Sequence, residues 1–573
     1  MRIAILMCLA LGALACGSDE TVALPATDND VATTGSDTAP DTATAPDPDA
    51  QADTAQADTD QPGPDPNEPG PLRVGVGRAR IPAPVGIGTA GFSPFVPDDG
   101  VESRYSEEFP ATVGIYTHPT FHVVAVEGPV QTIVFLRADT MGISMEIRNA
   151  IIARVVELGG PDLAQGLLIG ATHTHSGPGR LVDHLLIEAG FDTFHPPFFR
   201  RLVDVAAKTI IEALDDLEPA RFGYTMANTD AIHQDRRCES PDILDGTLPV
   251  LRFDRADGTV KALVMSYSVH GTMINIDSRR LSRDIHGGVE LKIEEQFDHP
   301  VTALFFNSWS ADTSPSAPGV DEGYQIPNDY NRIEAAGNVV AEVIMAVIED
   351  IETSETAAVR GGVANLEFAL DTMGYAEGEF GFGYGGAYCG IGVNAVCFGE
   401  GEPPDSKALD GACIPFGEDF PAPQVTTVGM LRLGDLWIST LPAEPGTEIG
   451  TTAVGTIQDT HGLKDVMLVG YAQDYVGYHL TEDDWFLGGY ETSGAIWGPK
   501  QGDYVNKHLI DFAAHFVGDA PLSWEPPAPR PAYILDPQEV LLVPETSAVP
   551  AGVITEPDAT YAAGDTVLVV VAG

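Results

Sequence analysis

Short apolar runs that alternate with helical-period stretches constrain the architecture of this chain more than any other feature. Runs of strand length lie at residues 132–136, 166–171, 250–253, 261–269, 301–307, 436–441 and 466–470. Between them, residues 199–214 and 331–348 repeat apolar side chains at helical spacing. Strands interleaved with helices argue for an α/β fold and against an all-β sandwich. Two stretches break the alternation. Residues 374–392 are too glycine-dense for a stable helix or strand, lack the Lys-Ser/Thr of a phosphate loop, and read as a long loop stapled by cysteines. Residues 521–531 read as a proline-rich linker, with strand-like runs at 540–543 and 566–571 beyond it.

The chemistry sits where strands end. The run at 166–171 leads into Ala171-Thr172-His173-Thr174-His175-Ser176-Gly177-Pro178-Gly179. Residues two apart on a strand face the same way, so His173 and His175 point into one cleft. Imidazole is the commonest transition-metal ligand and suits zinc. The bland alternative is two polar residues at a strand end. Four further strands deliver His270-Gly271-Thr272, Ala311-Asp312-Thr313-Ser314-Pro315, Pro442-Ala443-Glu444-Pro445-Gly446 and Asp474-Tyr475-Val476-Gly477-Tyr478. Sheet folds gather active sites at the carboxyl ends of strands. One such residue is ordinary; five converging segments are an active-site pattern.

Charge narrows the partners. Eighty-four acidic residues against 30 basic ones give a formal net charge of -54. Nucleic acid and anionic membrane surfaces need a basic footprint, which this composition lacks. The N-terminus reads as a targeting segment. Met1-Arg2 is the positive end, residues 3–14 are apolar but too short to span a bilayer, and Ala13-Leu14-Ala15-Cys16 resembles a bacterial lipobox with Cys16 as the lipidated residue. Residues 17–71 hold no Lys or Arg beyond the signal and are built from Asp, Thr, Ala and Pro. Such a stretch cannot bury enough apolar area to offset its ordering entropy, and reads as an extended tether. The expected location is therefore the bacterial cell envelope, lipid-anchored on the outer membrane, its periplasmic side or the cell surface. Cys238, Cys389, Cys397 and Cys413 remain as an even set, which outside the cytoplasm points to two disulfides of undetermined pairing; the competing reading, a zinc site of these four, has against it the distance of Cys238 in sequence and the lack of a C-x-x-C pair.

In order and spacing these blocks resemble the neutral, non-lysosomal ceramidases. The resemblance runs from about Arg73 to Gly518. Residues 74–81 look like that family's opening strand, and His173-Thr174-His175-Ser176-Gly177-Pro178-Gly179 is similar to its signature. Val269-His270-Gly271-Thr272-Met273, residues 311–315, Leu441-Pro442-Ala443-Glu444, Tyr475-x-x-Tyr478, and Tyr490-Glu491 ahead of Trp497-Gly498-Pro499 also match. The resemblance implies stacked mixed β-sheets flanked by helices, with the start of a C-terminal immunoglobulin-like β domain. It divides the chain into a signal peptide (1–15), an acidic tether (16–71), a zinc hydrolase domain (72–520), and a linker with an incomplete β domain (521–573).

It further implies one zinc ion per chain on His173, His270, Glu444 and Tyr478. His175 would stand beside the scissile amide, Tyr490 beside the developing oxyanion, and Arg236, or its neighbour Arg237, in the pocket. Ser314 falls at the essential serine, as a covalent nucleophile or, as we favour, a group that positions substrate or water. The sequence departs from the family after the second histidine, where Ser282-Arg283-Asp284-Ile285-His286-Gly287 replaces Ser-Gly-Asp-Asn-Lys-Gly. The implied reaction is zinc-dependent hydrolysis of the ceramide amide. The alternatives are a zinc amidase for other N-acyl lipids, a catalytically silent lipid-binding lipoprotein, or a metallophosphoesterase; the last would need a second metal, for which no ligand set is evident.

Overall fold

The computed structural model describes residues 65, 67–92, 101, 103–188, 190–237, 243–320, 326–381, 387–388, 391–392, 423–533, 552–555 and 570–572. Two mixed sheets form its centre. The first contains β1 (Gly70–Arg80), β2 (Thr120–Glu127), β3 (Thr132–Ala138), β4 (Leu167–Ala171), β5 (Glu218–Asn228), β6 (Thr247–Arg255), β7 (Val260–Tyr267) and β8 (Thr302–Asn307), with Thr356–Ala357 paired to the start of β1. Their order is β8–β7–β6–β5–β1–β2–β3–β4. Only the outermost pairs, β3 with β4 and β7 with β8, are parallel. The second sheet holds β9 (Val359–Glu367), β10 (Val425–Leu433), β11 (Leu436–Thr440) and β12 (Val466–Val469) in that order.

The period-2 alternation of apolar side chains explains the stacking. Val124, Val126, Phe135, Leu168, Val264, Leu304 and Phe306 face the second sheet and pack with Val359, Leu431, Ile438, Met467 and Val469. Their neighbours along the strands face outward and are covered by helices, so both faces of the first sheet are dry and its strands read as continuous apolar runs. Helices α1 (Met145–Glu157) and α2 (Pro196–Asp215) lie over Phe121, Val123, Val134 and Leu136. Helices α3 (Asp284–Glu294) and α4 (Ile326–Ile348) cover Leu263, Met265, Ala303 and Phe305. On the second sheet, α5 (Thr447–His461) and α6 (Gln501–Gly518) cover Val428, Met430 and Leu468. The result is helix, sheet, sheet, helix, which matches the expected α/β class.

Helix ends follow local chemistry. Ser144 caps α1 by accepting from Ile147 N at 3.3 Å. Prolines fill the first positions of α2, where no intrahelical donor is needed. The N-cap of α5 is Gly446, which has no side chain to offer. Asp312 takes over from another loop, accepting from Thr447 N and Oγ1, both at 2.7 Å.

Three expectations shift. Strand β1 opens at Gly70, ahead of the expected domain start at Leu72. In the glycine-dense loop, Phe380–Gly381, Ala387–Tyr388 and Ile391–Gly392 form a small antiparallel sheet. The proline-rich stretch is packed against the domain rather than running free as a linker: Leu522, Trp524 and Tyr533 lie on its main apolar cluster. At the far end, Gly552–Thr555 pairs antiparallel with Val570–Ala572, and the rest of the expected immunoglobulin-like segment lies outside the described residues. So do Cys16, most of the tether, and Cys238, Cys389, Cys397 and Cys413. Among the described residues, no helix is long and apolar enough to cross a membrane.

Candidate metal centre

The end strands of the first sheet, β4 and β8, come together. Asn307 at the tip of β8 donates Nδ2 to Thr172 O just past β4, at 2.7 Å. The segments after β4 and β7 then run side by side, bridged at Thr174 and Gly271, with His175 N donating to Gly271 O at 2.9 Å. A Cβ at position 271 would stand 2.2 Å from His173 O, so glycine is what lets the two histidine segments touch. His173 has φ +62°, a left-handed conformation that a non-glycine residue holds only when its surroundings fix it.

Three imidazoles meet there. His173 Nε2 lies 3.1 Å from His270 Nε2 and 3.2 Å from His175 Nε2. All three side chains are buried, and they form a group able to hold a metal ion. The other ring nitrogens fix the protonation. His173 Nδ1 faces Met141 O at 2.7 Å and His270 Nδ1 faces Ser310 O at 3.0 Å. A carbonyl can only accept, so both Nδ1 atoms carry a proton, and both rings turn Nε2 toward each other.

Glu444 completes the group from the second sheet. Its Oε2 is 3.1 Å from His173 Nε2, and it has no hydrogen-bond donor. A proton on His173 Nε2 or a cation between the two groups satisfies that contact. Tyr475 donates its hydroxyl to Glu444 Oε1. Burial works to raise the Glu444 carboxyl, but His173, Tyr475 and Arg236 outweigh it and hold the group below its usual range. Burial, with Arg236 and the neighbouring imidazoles, pushes His270 well below the ordinary histidine value. The donor set fits a metal cation: imidazoles oriented through their far nitrogens, and a buried ionised carboxylate.

The other expected residues fall as follows. Tyr478 is the register partner of Glu444 in a short parallel ladder, Glu444–Pro445 with Tyr478–His479. Its hydroxyl accepts from Arg236 Nη2 at 3.3 Å. Arg236 Nε also donates to Glu491 Oε1 at 2.8 Å, whereas Arg237 turns to Glu491 Oε2 and to the carbonyls of Asp484 and Gly488. Of the two arginines, Arg236 is the one that reaches Tyr478. His175 Nδ1 is buried and without a partner, and its ring stands edge-on to Phe92. Ser314 is half-buried in a short strand paired with Gln234; the preceding Thr313 carbonyl accepts from His270 N at 2.9 Å. Tyr490 opens a short helix, Tyr490–Gly494, and its side chain lies outside the described residues. The divergent segment at 282–287 lies against both histidine segments, with Thr174 Oγ1 donating to Ser282 O at 3.0 Å. Asp284 accepts from Met273 N and Ile274 N, both at 3.0 Å, and His286 Nε2 lies 3.2 Å from Val269 O, so these residues brace the His270 loop from behind.

Sequence reasoning missed several supports. The Met141 and Ser310 carbonyls carry no residue-type signal. Tyr475 was visible in the Tyr-x-x-Tyr spacing, but only Tyr478 received a role. The loop after β12 also seals the outer edge of β4: Ala171 N donates to Tyr471 O at 3.0 Å, Gln473 N to Ile169 O at 2.8 Å, and Gln473 Nε2 to Leu167 O at 2.8 Å.

Comparison with known proteins agrees with the fold. The solved neutral ceramidase of Pseudomonas aeruginosa superposes with a TM-score of 0.67 at 20% identity, covering 87% of this chain and 83% of that one. In sequence, the neutral ceramidase of Pseudomonas aeruginosa is 22% identical over 486 residues, 76% of this chain and 72% of its own length. That of Mycobacterium tuberculosis is 23% identical over 486 residues, 74% of each. Residues 105–325, which include all three clustered histidines, match the family described as neutral/alkaline non-lysosomal ceramidase, N-terminal. Signature, fold and relatives agree: the chain is similar to the neutral/alkaline non-lysosomal ceramidases, and its residues 105–325 match that family's N-terminal model.

Proposed function

We propose that this protein hydrolyses the amide bond of ceramide (N-acylsphingosine) to a sphingoid base and a fatty acid, using one zinc ion held by His173, His270, Glu444 and Tyr478. The observation that carries the reading is the convergence of two imidazole Nε2 atoms, each oriented through its far nitrogen, with a buried carboxylate oxygen. The register pairing of Glu444 with Tyr478 supports the fourth ligand. When bound there, zinc supplies a Lewis acid and lowers the pKa of water from 15.7 to about 7.

The chain's own residues do the rest. Met141 and Ser310 hold the two imidazoles in the tautomer that leaves Nε2 free. Tyr475 turns Glu444, and Arg236 orients the Tyr478 phenol. His175 Nδ1, buried and unpartnered, takes the proton released by the attacking water and passes it to the departing amine nitrogen. Tyr490 donates to the developing oxyanion, and Ser314 positions the substrate hydroxyl or the attacking water. We also propose that Cys16 carries a lipid anchor holding the enzyme at the bacterial cell envelope, a reading supported by the Ala13-Leu14-Ala15-Cys16 motif and the acidic stretch after it.

The test is fatty-acid release from N-acylsphingosine, with and without chelator, and with an N-acyl amino lipid as comparator. Chelator-sensitive release from N-acylsphingosine is expected. Absence of release from both substrates by zinc-loaded protein refutes the amidase reading; release from the comparator alone moves the substrate to another N-acyl lipid.

A further inference from the structure

After α6, the proline-rich chain is laid across the domain as a strap. Trp524 donates Nε1 to Asn365 O at 2.8 Å, and Asn365 Nδ2 donates to Pro527 O at 3.1 Å. Arg530 then turns inward. Its guanidinium donates to both oxygens of Glu146 (2.6 and 2.9 Å), both oxygens of Asp474 (2.8 and 2.7 Å), and the carbonyl of Val425 (2.6 Å). Three residues on, the Tyr533 hydroxyl accepts from Asp183 N at 3.2 Å, and its ring packs among His184, Phe194 and Phe199.

Glu146 and Asp474 are 2% and 0% exposed. Two buried carboxylates side by side need a shared countercharge, and a planar guanidinium can serve both with paired hydrogen bonds. His184 Nε2 also faces Glu146 Oε1, at 2.9 Å. Arg530 therefore ties the first turn of α1 to the loop after β12.

Those two segments hold the metal-binding side chains in place. Asp474 directly precedes Tyr475, the donor to Glu444, and Asp474 Oδ1 also accepts from Met145 N at 2.8 Å. On the α1 side, Met141 supplies the carbonyl that fixes His173 Nδ1. The segments press together at Gly142, where a Cβ would stand 2.8 Å from the Tyr475 ring. The loop is strained as well: Tyr471 and Gln473 have φ +52° and +70°. Such conformations persist only when surrounding contacts over-determine them.

We propose that Arg530 is a positioning residue of the metal site: by locking Glu146 to Asp474 it fixes the Met141 carbonyl and the Tyr475 hydroxyl, and through them the aim of His173 and Glu444. The inference rests on the reading of these residues as metal ligands. A segment that sequence reads as a linker thus belongs to the support of the catalytic centre.

The test uses the full chain and three variants: Arg530→Met, Arg530→Lys, and the charge-free combination Glu146→Gln/Asp474→Asn/Arg530→Met. Thermal unfolding without metal reads stability, competition with a chromophoric chelator reads zinc affinity, and kinetics separate kcat from KM. Zinc affinity is expected to fall 10- to 100-fold in Arg530→Met, the usual cost of losing a ligand-orienting partner. kcat should fall with KM unchanged, and Arg530→Lys, a point charge without the fork, should lie between. The charge-free combination leaves no unpaired buried charge, so it regains metal-free stability relative to Arg530→Met but not zinc affinity. Wild-type zinc affinity in the folded charge-free combination, or recovery of affinity in step with stability, overturns the proposal and makes the strap a packing element only. If the wild-type chain itself binds no zinc, the metal reading fails first, and the proposal falls with it.

Discussion

Tyr475 gives its hydroxyl proton to Glu444 Oε1 in a setting where both side chains are shielded from water. Burial, and then the Glu444 charge, keeps the Tyr475 phenol well above its ordinary titration range, so it stays a donor. Tyr475→Phe keeps the ring between Gly142 and Phe191 and deletes only that donor. Zinc affinity is expected to drop 10- to 100-fold with the fold intact, measured by chelator competition. Unchanged affinity would show that Glu444 is oriented by other means.

Elemental analysis of the purified wild-type chain should find one zinc. His173→Ala and His270→Ala should each lose the metal and the activity together, because each removes a ring already oriented by a carbonyl. Two metal ions per wild-type chain would contradict a single centre built on these residues.

Ser314→Ala separates the two roles of that serine. As a positioning group its loss should cost roughly 10²–10⁴-fold in kcat while zinc is retained. Acid-trapped wild-type protein should show no acyl adduct on intact-mass measurement. An adduct that disappears in Ser314→Ala would make the serine a covalent nucleophile.

His233 is buried against Tyr267, and burial pushes its imidazole down to about 4. The unfolded chain takes up that proton near pH 6.5 and the folded chain does not. Stability from this group is therefore present above pH 6.5 and lost as pH falls toward 4, at a limiting slope of about 1.4 kcal/mol per pH unit. His233→Phe keeps the ring stack and removes the titration. Its melting temperature should decline less than that of the wild type between pH 6.5 and 4; parallel curves would refute the assignment.

Cys16→Ser should shift the protein from the membrane fraction to the soluble fraction with its specific activity unchanged, and deletion of residues 17–64, which keeps Cys16, should leave it in the membrane fraction with its specific activity unchanged. A large loss of turnover on that deletion would give the acidic stretch a part in the site.

The elements of this fold were legible because their signals are local. The apolar run at 301–307 and the helical period at 331–348 reappear as β8 (Thr302–Asn307) and within α4 (Ile326–Ile348). The strand-end positions of His173, His270 and Glu444 were legible for the same reason. What joins them was not. Asn307 meets Thr172 from the opposite end of the sheet order, and Arg530 meets Glu146 across 384 positions of sequence. Such contacts leave no periodicity behind. A guanidinium in a proline-rich stretch looks the same whether it is solvated or seated between two carboxylates, and a carbonyl such as Met141 O has no residue-type signature at all.

The sealing of β4 by the Tyr471–Gln473 turn has a consequence beyond catalysis. A sheet's last strand presents a row of open amide and carbonyl groups on which another chain can lengthen the sheet. Here the backbone of Tyr471 and Gln473 and the Gln473 carboxamide occupy that row along residues 167–171. The same turn that delivers Tyr475 to Glu444 therefore also blocks strand addition at this edge, and a substitution such as Gln473→Ala would surface first as self-association at high protein concentration.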